Sequence, residues 1–560
     1  MDLPAQRPPG RPRIAAEQVQ LIVRLATENR RRQPANGYTV AMPSWRRITL
    51  EQLHDRRWEL LALTSVGAFM TPLDGSIVSV ALAKMGPDLK LSFGASIWVQ
   101  IAYLLATAVL LIPLGRLADQ RGRVHFYLAG VVIFTIGSLL SGLSMNGVWL
   151  IASRVLQGGG GALLMATSAA IVTAVFPPQE RGKALGINVM AVYIGLAVGP
   201  VLGGQIVDHL GWRWIFFVNI PIGLVTFAWG WLLLPRSERP NEKAPRNDLA
   251  GAALLGAFLV CLLVPLTFAP EWGWAAARTI ILLVASAASL VAFVSTELHV
   301  RDPVLDLDLL LHNRLFATAN TAALLNYMAL YAISILTAIY LEIVQGRSAA
   351  QTGWLMVAQP AMMALLSPFA GRLSDRLGSR LLSTTGMVLV AAGMVMLATV
   401  PITAGIARVM LSLAVVGIGM AAFSAPNTSA IMGSVERSKL SLASAFLGTM
   451  RVTGQALSVA VLGGIAASQL GVSGTRLIYT NGQAAGAAAH GALHGGTAAA
   501  AAAANVAAHI VQNYALGYRY AMFTGAGLAL AGALASLTRP TQVPQAPRPP
   551  LAPAVAPSDH

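Results

Sequence analysis

One carboxylate lies in the middle of the first long apolar run of the chain. Asp74 stands inside a run that extends roughly from Leu60 to Leu82. A carboxylate at that depth of a bilayer is costly to bury, so it must be protonated, paired or in contact with a water-filled cavity. A carboxyl whose proton affinity changes with exposure can take up a proton on one side of a membrane and release it on the other. Two interpretations stay open: a proton or cation site, and a fixed pair with a neighbouring arginine.

Two further charged residues stand near the ends of later apolar runs. Arg154 begins the segment R-V-L-Q, and Gln157 follows one helical turn later on the same face. An arginine at such a place often extends to the lipid headgroups. Glu342 ends another apolar run, where three interpretations stay open: a second proton site, a group that attracts a cation, and a carboxylate at the water-exposed rim.

Polar residues inside the apolar run before Glu342 are candidates for a substrate cavity. Asn326 and Tyr327 are adjacent there, and Asn320 precedes them by less than two turns. With Asp74 and Gln157, we predict Asn326 and Tyr327 as substrate-binding residues. The alternative is that they only form hydrogen bonds between helices.

A glycine stripe with a proline occupies another apolar run. Gly195, Gly199 and Gly203 are spaced at i, i+4 and i+8, with Pro200 and Gly204 beside them. In a soluble helix a proline costs about 3 kcal/mol and each glycine about 1 kcal/mol relative to alanine. In a bilayer such residues let helices approach closely, and neighbouring groups satisfy the freed backbone. The stripe is therefore either a packing surface or a bend on which a helix pivots.

The composition indicates which environment surrounds these residues, water or lipid. The chain has 560 residues, of which 55% are hydrophobic and 11% charged, and its mean hydropathy is +0.63. Soluble domains carry about 25% charged residues, so the composition indicates an integral membrane protein. We count about fourteen apolar runs long enough to cross roughly 30 Å of hydrocarbon.

The net charge of +16 would favour nucleic-acid binding in a soluble protein, but here the basic residues cluster in short loops. The loops that follow even-numbered runs carry most of them, including Arg116, Arg181, Arg236, Arg372 and Arg437. By the positive-inside rule, this alternation predicts that both termini are cytoplasmic.

An octapeptide that occurs twice indicates an internal repeat. Gly115–Gly122 reads G-R-L-A-D-Q-R-G, and Gly371–Gly378 reads G-R-L-S-D-R-L-G. Two copies after corresponding runs predict two halves built on one plan. The loop carries opposite charges that can latch one face of a transporter, or that simply fix topology. The predicted gating residues are Gly115, Arg116, Asp119, Arg121, Gly122, Arg123 and, in the second copy, Asp375.

We therefore predict an all-α membrane protein in five segments. Residues 1–57 form a basic cytoplasmic tail, 58–235 a six-helix half, 236–314 two inserted spans with a linker, 315–540 the second six-helix half, and 541–560 a disordered tail. A long external loop is expected at 471–515, whose alanines could add a short helix. The stretch after Gly10 resembles the start of a transposase-type helix-turn-helix, which favours a non-native segment over residues 1–41, either a mobile-element remnant or a start assigned upstream of Met42. A basic tail on anionic lipid is the alternative.

Five stretches together resemble the major facilitator superfamily, and within it the fourteen-span drug/proton antiporter family (EmrB/QacA-like). They occur in the family's order: Leu73–Leu82, Gly115–Arg123, Arg154–Gly161, Gly195–Gly204 and Trp212–Gly223. The departures are Ser76 for Thr and Ser79 for Asn in the first stretch, Ala83 for Pro directly after it, and Val124 for a basic residue after the second.

The resemblance implies a plasma-membrane efflux transporter with the major facilitator fold, which exchanges amphipathic or cationic small molecules, such as drugs and antibiotics, for protons by alternating access. It implies proton coupling by Asp74 and Arg154, to which we add Glu342, and an antiporter bend at Gly195–Gly204. It also implies a monomer that lies in the lipid bilayer and transports a small-molecule substrate. Such a protein binds no nucleic acid and needs no cofactor, because the proton gradient drives it. The alternatives are a dedicated exporter of an endogenous metabolite and, from another class, a non-transporting membrane sensor.

Other chemistries lack their motifs in the sequence. No G-x-x-x-x-G-K-[ST] loop is present, so ATP-driven pumping is unsupported. No catalytic triad is apparent, and we predict that the protein is not an enzyme. His490, His494 and His509 have no cysteine or carboxylate beside them, so no metal site is predicted.

Overall fold

The computed structural model is helical in every regular element that it describes. It describes residues 56–177, 180–233, 248–300, 302–402, 405–436, 440–471 and 498–540, together with Thr475. The predictions made for 1–55, 236–247 and 541–560 lie outside the described residues.

Seventeen helices occur in the described ranges, several of them long enough to cross a membrane. In chain order they are α1 (Arg57–Asp88), α2 (Phe93–Arg121), α3 (Arg123–Gly142), α4 (Gly147–Val175), α5 (Arg181–His209), α6 (Trp214–Phe217), α7 (Asn219–Leu233), α8 (Leu249–Trp272), α9 (Ala277–His299), α10 (Leu307–His312), α11 (Arg314–Ile339, continued by a π-helical turn at Tyr340–Val344), α12 (Ala349–Met356), α13 (Ala358–Leu377), α14 (Ser379–Ala398), α15 (Ile406–Gly433), α16 (Leu440–Ser468) and α17 (Ala498–Leu537).

The predicted number of spans is confirmed. In the described part of the chain, fourteen helical stretches have the length and hydropathy to cross a membrane, with α6–α7 and α12–α13 each forming one stretch. The first half packs through α1 on α5, α3 on α4 and α2 on α4; the second packs through α14 on α15, α14 on α17 and α11 on α16. This is an all-helical bundle of two halves.

The first of the two inserted spans covers one of the seams between the halves, and the second packs on the first. Helices α2 and α16 form that seam, and α8 packs on both of them. The fit depends on small residues: a methyl group added at Gly463 of α16 would lie 2.7 Å from Cδ1 of Ile97 on α2. The backbone N–H of Gly94 on α2 donates to Oε1 of Glu271 on α8, at 3.3 Å.

The other seam joins α5 to α12 and α13. We call the face that carries the α2–α3 turn the basic face, and the other the opposite face. Near the opposite face, Asp208 Oδ2 accepts a hydrogen bond from the backbone N–H of Ala350 at 2.8 Å. A methyl group added at Gly204 would lie 2.8 Å from Cα of Ala350, and one at Gly353 would collide with the carbonyl oxygen of Pro200. Backbone contacts of this kind close the seam at the opposite face.

The prediction of a loop over 471–515 is wrong at its C-terminal end. Helix α17 begins at Ala498, inside the alanine-rich stretch, and continues to Leu537 without interruption. Alanine has the highest helix propensity, and the span that follows provides a helix to extend, so the alanines from Ala498 onward continue that span. Within the extension Ile510 and Tyr514 are buried in the core.

Candidate functional site

A buried ion pair with two amide partners lies inside the first half. Asp74 of α1 accepts a hydrogen bond from Nη1 of Arg154 on α4 at 2.5 Å. Its other oxygen accepts from Gln157 Nε2 at 2.8 Å and from Asn219 Nδ2 at 3.1 Å. All four side chains have zero solvent exposure. The structure therefore brings together three predicted site residues, in an arrangement sealed from water and lipid.

The interfacial alternative for Arg154 is wrong, because its guanidinium is enclosed by protein. Its Nε donates to the carbonyl oxygen of Val99 at 3.1 Å, and its Nη1 also donates to Gln157 Oε1 at 2.6 Å. The ring centroids of Tyr103 and Phe216 lie 4.5 and 5.7 Å from its central carbon. A buried guanidinium needs such acceptors and π faces to offset the loss of water.

Asn219 is a site residue that the sequence alone did not predict. It begins α7 directly after the short helix α6, and its amide nitrogen donates both to Asp74 and to Ser138 Oγ on α3, the latter at 3.1 Å. Its place in the Trp212–Gly223 motif was the only available signal. Nothing in that motif indicates which helix the side chain contacts.

The glycine stripe lies against the helix that carries Asp74. A methyl group added at any of the three glycines would collide with α1. At Gly195 it would lie 2.6 Å from the carbonyl oxygen of Phe69, and at Gly203 it would lie 2.7 Å from Ile77 Cγ1. At Gly199 it would overlap Ser76 Oγ. The stripe thus packs along the turns that flank Asp74. Pro200 and Gly204 point away from it, toward the second half.

The predicted gating loop forms contacts within its own turn and with the inserted segment. Asp119 pairs with Arg123 at 2.6 Å, four residues apart. Arg116 donates through Nη1 to the carbonyl oxygen of Asp302 at 2.8 Å and through Nη2 to that of Pro303. The loop is therefore anchored to the connection that follows α9.

The remaining loop residues shape the turn or face solvent. Gly122 has a φ of 114°, a conformation that favours glycine, so it allows α3 to start directly after α2. A methyl group added at Gly115 would lie 3.3 Å from Cβ of Ala166, whereas Arg121 is exposed. The side chain of Asp375 lies outside the described residues.

The other predicted substrate residues are not part of the Asp74 cluster. Asn326 is buried on α11, where its Nδ2 lies 3.1 Å from the sulfur of Met420. Tyr327 is also buried, beneath the guanidinium of Arg451. The four predicted residues thus fall into two groups, one in each half.

Glu342 occupies the π-helical turn at the opposite-face end of α11. Its side chain is partly exposed, but Oε1 is buried and has no hydrogen-bond partner among the described residues. The charges that act on it are Lys84, which attracts, and Asp208, which repels. Glu342 is therefore separate from Asp74 and lies at the rim of the bundle.

Sequence comparison assigns the chain to a family. The model of the Major Facilitator Superfamily matches residues 64–311 and 319–558, which is most of the chain. The chain belongs to the Major Facilitator Superfamily. Membership confirms the predicted family and fold, a multi-pass protein of the plasma membrane, and a transporter rather than an enzyme.

Relatives within the superfamily carry several kinds of cargo. The chain is 33% identical over 416 residues to the riboflavin transporter RibZ of Clostridioides difficile, covering 74% of this chain and 89% of that protein. It is 35% identical to the multidrug resistance protein Stp of Mycobacterium tuberculosis, covering 74% and 77%. It is 31% identical to the tetracenomycin C resistance and export protein of Streptomyces glaucescens, covering 75% and 78%.

Solved structures show the same fold at lower identity. A bacterial homologue of the human lysosomal transporter Spinster, in an inward-facing and unoccupied conformation, matches with a TM-score of 0.59 at 17% identity. The match covers 89% of this chain and 97% of that one. A transporter of the POT family matches with the same TM-score at 14% identity.

Proposed function

We propose that this superfamily transporter exports amphipathic small molecules from the cytoplasm in exchange for protons. The observation that supports the proposal is the sealed pair of Asp74 and Arg154, held by Gln157 and Asn219. A carboxylate that is isolated from water in one conformation and hydrated in another can couple proton transfer to the conformational change.

The basic face is the cytoplasmic face in this proposal, because short basic loops stay in the cytoplasm. The α5 seam is closed by backbone contacts at the opposite face. Toward the basic face, by contrast, Gly186 of α5 and Gly371 of α13 have no atom within 4 Å of a methyl position. These contacts support a conformation that is closed to the outside and open toward the cytoplasm.

Opening of the outer face would hydrate Asp74 and allow a proton to replace Arg154 as its partner. Arg154 would keep the Val99 carbonyl oxygen and Gln157 Oε1 as acceptors, so its charge would not be left without partners. During the return to the inward-open form, the proton would leave Asp74 toward the cytoplasm before the ion pair re-forms and seals the site. One proton would thus cross inward for each cycle in which cargo leaves.

The test uses purified full-length protein in liposomes with a trapped pH dye and an imposed proton gradient. Ethidium, a lipophilic cation, is added to wild type, to Asp74→Asn and to Asp88→Asn. Asp88 is a matched control, because it lies on the same helix but forms an exposed pair with Arg213 at 2.6 Å. We expect ethidium-dependent proton flux in wild type and Asp88→Asn, and its loss in Asp74→Asn. Equal flux in all three would refute coupling through Asp74.

A second candidate is a dedicated exporter of one endogenous metabolite on the same fold. The relatives favour it, since one is named for riboflavin and another for tetracenomycin C. This candidate predicts no proton flux with ethidium or other unrelated cations, and flux with a single metabolite from the producing cell. A screen of cell extract fractions in the same liposomes distinguishes the two.

A further inference from the structure

A second arginine, partly exposed but with a buried Nε, lies between the two halves in a setting unlike that of Arg154. Arg451 of α16 has its central carbon 5.4 Å from the ring centroid of Tyr327 on α11. Tyr193 of α5 approaches from the first half, and its hydroxyl lies 3.4 Å from that of Ser424 on α15. We call Arg451, Tyr327, Tyr193 and Ser424 the central arginine cluster.

The cluster lies near the middle of the membrane. Each of its residues is roughly 9–13 residues from the basic-face end of its helix. At about 1.5 Å per residue, this places the cluster roughly 14–20 Å from that face, within a hydrocarbon layer of about 30 Å. Substrate sites of transporters that work by rocking of two halves lie at this depth, at the interface between them.

No carboxylate neutralises Arg451 among the described residues. The groups that act on its charge are the phenols of Tyr327 and Tyr193, and its Nε is buried without a hydrogen-bond partner. Arg154, by contrast, has a carboxylate at 2.5 Å. A cation without a counter-charge in a low-dielectric site is costly, and the cost is removed when an anion binds beside it.

The position of Arg451 is built into the packing of its helix. One turn further along α16, a methyl group added at Gly454 would lie 2.9 Å from Cβ of Tyr327. Glycine at this position lets α16 approach α11 closely enough to place the guanidinium over the phenol ring. Tyr193 adds a second, partly buried ring from the other half.

We propose that Arg451 binds the anionic group of an amphipathic aromatic acid, whose ring system packs against Tyr327 and Tyr193. The guanidinium supplies a charge-assisted hydrogen bond, and the two phenols supply flat apolar surface. The inference rests on the proposed export function and adds to it a preference for amphipathic molecules that carry an anionic group. Because the cluster takes residues from both halves, an occupant contacts both sides of the seam that must open.

Equilibrium binding tests the site without any proton gradient. Isothermal titration of the purified full-length protein in detergent at pH 7.5 compares 2-naphthoate with 2-naphthamide, two probes that differ in charge and share one ring system. We expect naphthoate to bind about tenfold tighter than naphthamide, or more, because a charge-assisted hydrogen bond contributes a difference of that size in affinity. Equal affinities in wild type, or tighter binding of ethidium than of naphthoate, would overturn the proposal.

Variants then assign the preference to one side chain. Arg451→Gln should reduce the naphthoate preference to less than about twofold, and Arg451→Lys should retain most of it. Arg519→Gln is the matched control, since Arg519 also lies over an aromatic ring, 5.6 Å from Phe523, but is exposed on α17; it should leave the preference unchanged. A preference that survives in a folded Arg451→Gln protein would contradict the assignment.

The outcome for proton coupling is separable from the outcome for binding. Asp74→Asn should keep the preference for naphthoate over naphthamide, because the charge that recognises the carboxylate is on Arg451 and the two clusters share no residue. Tyr327→Leu should weaken both naphthyl probes by a similar factor, because it removes ring contact and keeps the charge. Binding without proton flux would reject antiport and keep the anion site, whereas ethidium-driven flux without naphthoate binding would do the reverse.

Discussion

The pair of Asp74 and Arg154 should respond unequally to loss of either partner. Arg154→Gln leaves a buried carboxylate with two neutral amide donors, Gln157 and Asn219. Removing one partner of a buried pair costs about 3–5 kcal/mol, and we expect a loss of that size in the free energy of unfolding.

Asp74→Asn should cost less, because the guanidinium that remains keeps several partners. These are a carbonyl oxygen at 3.1 Å, an amide oxygen at 2.6 Å and the rings of Tyr103 and Phe216. Desolvated cation–π contacts contribute about 2 kcal/mol, so we expect a loss of about 1–3 kcal/mol. The double variant should lose no more than Arg154→Gln alone, because it leaves no buried charge at this site.

The measurement is a double-mutant cycle on the free energy of unfolding, from denaturant titration in mixed micelles. The control is Arg213→Gln, which breaks the exposed pair with Asp88 in the same half and should cost less than about 1 kcal/mol. Additive losses in the cycle would show that the two side chains do not interact. A larger loss for Asp74→Asn than for Arg154→Gln would show that the acceptors around Arg154 do not compensate its charge.

Two further predictions concern packing and charge elsewhere. Gly199→Ala should destabilise the protein by about 1–3 kcal/mol and slow transport, because the methyl group collides with Ser76 Oγ; Gly186→Ala, which meets no atom within 4 Å, should leave melting temperature and flux unchanged. Burial lowers the pKa of Arg539 to about 10, so its charge reduces stability below that pH, and the penalty is relieved only as pH rises through 10. Its Nη2 donates to Asn427, and Asn427→Asp should therefore raise the melting temperature at pH 7. The gain should shrink as pH falls below about 4, because the pair lowers the pKa of the new carboxyl in the folded state relative to the unfolded one. A gain of the same size at pH 7 and at pH 2 would contradict a charge effect.

The spans could be predicted because length and hydropathy alone distinguish a membrane helix. The start of α17 could not, since a run of alanines is weakly apolar and carries helix propensity without the pattern of a span. The close seams could not be predicted either. Glycine stripes are visible in the sequence, but whether Gly204 contacts its own half or the other depends on how the helix is rotated.

The buried site was predictable only along single helices. Asp74 is conspicuous as a carboxylate in an apolar run, and Arg154 with Gln157 has helical spacing. Asn219 was missed, because its contact with Asp74 arises from the packing of α7 on α1 and leaves no periodic signal. Arg451 was visible as a charge without a partner in its own span, but its contact with Tyr327 is likewise a product of packing between helices.

The contacts of α5 indicate which of its two faces moves in the proposed cycle. The stripe from Gly195 to Gly203 packs on the backbone and side chains of α1 over several turns, whereas Pro200 and Gly204 contact only a short part of α12 near the opposite face. Breaking the shorter contact exposes less apolar surface and fewer backbone groups, so it costs less free energy. On this argument the stripe holds α5 to α1 during opening, and the bundle separates between α5 and α12. Because α1 and α5 then move together, water that enters at α12 approaches Asp74 from the opposite face, which is the side that the proposed exchange requires.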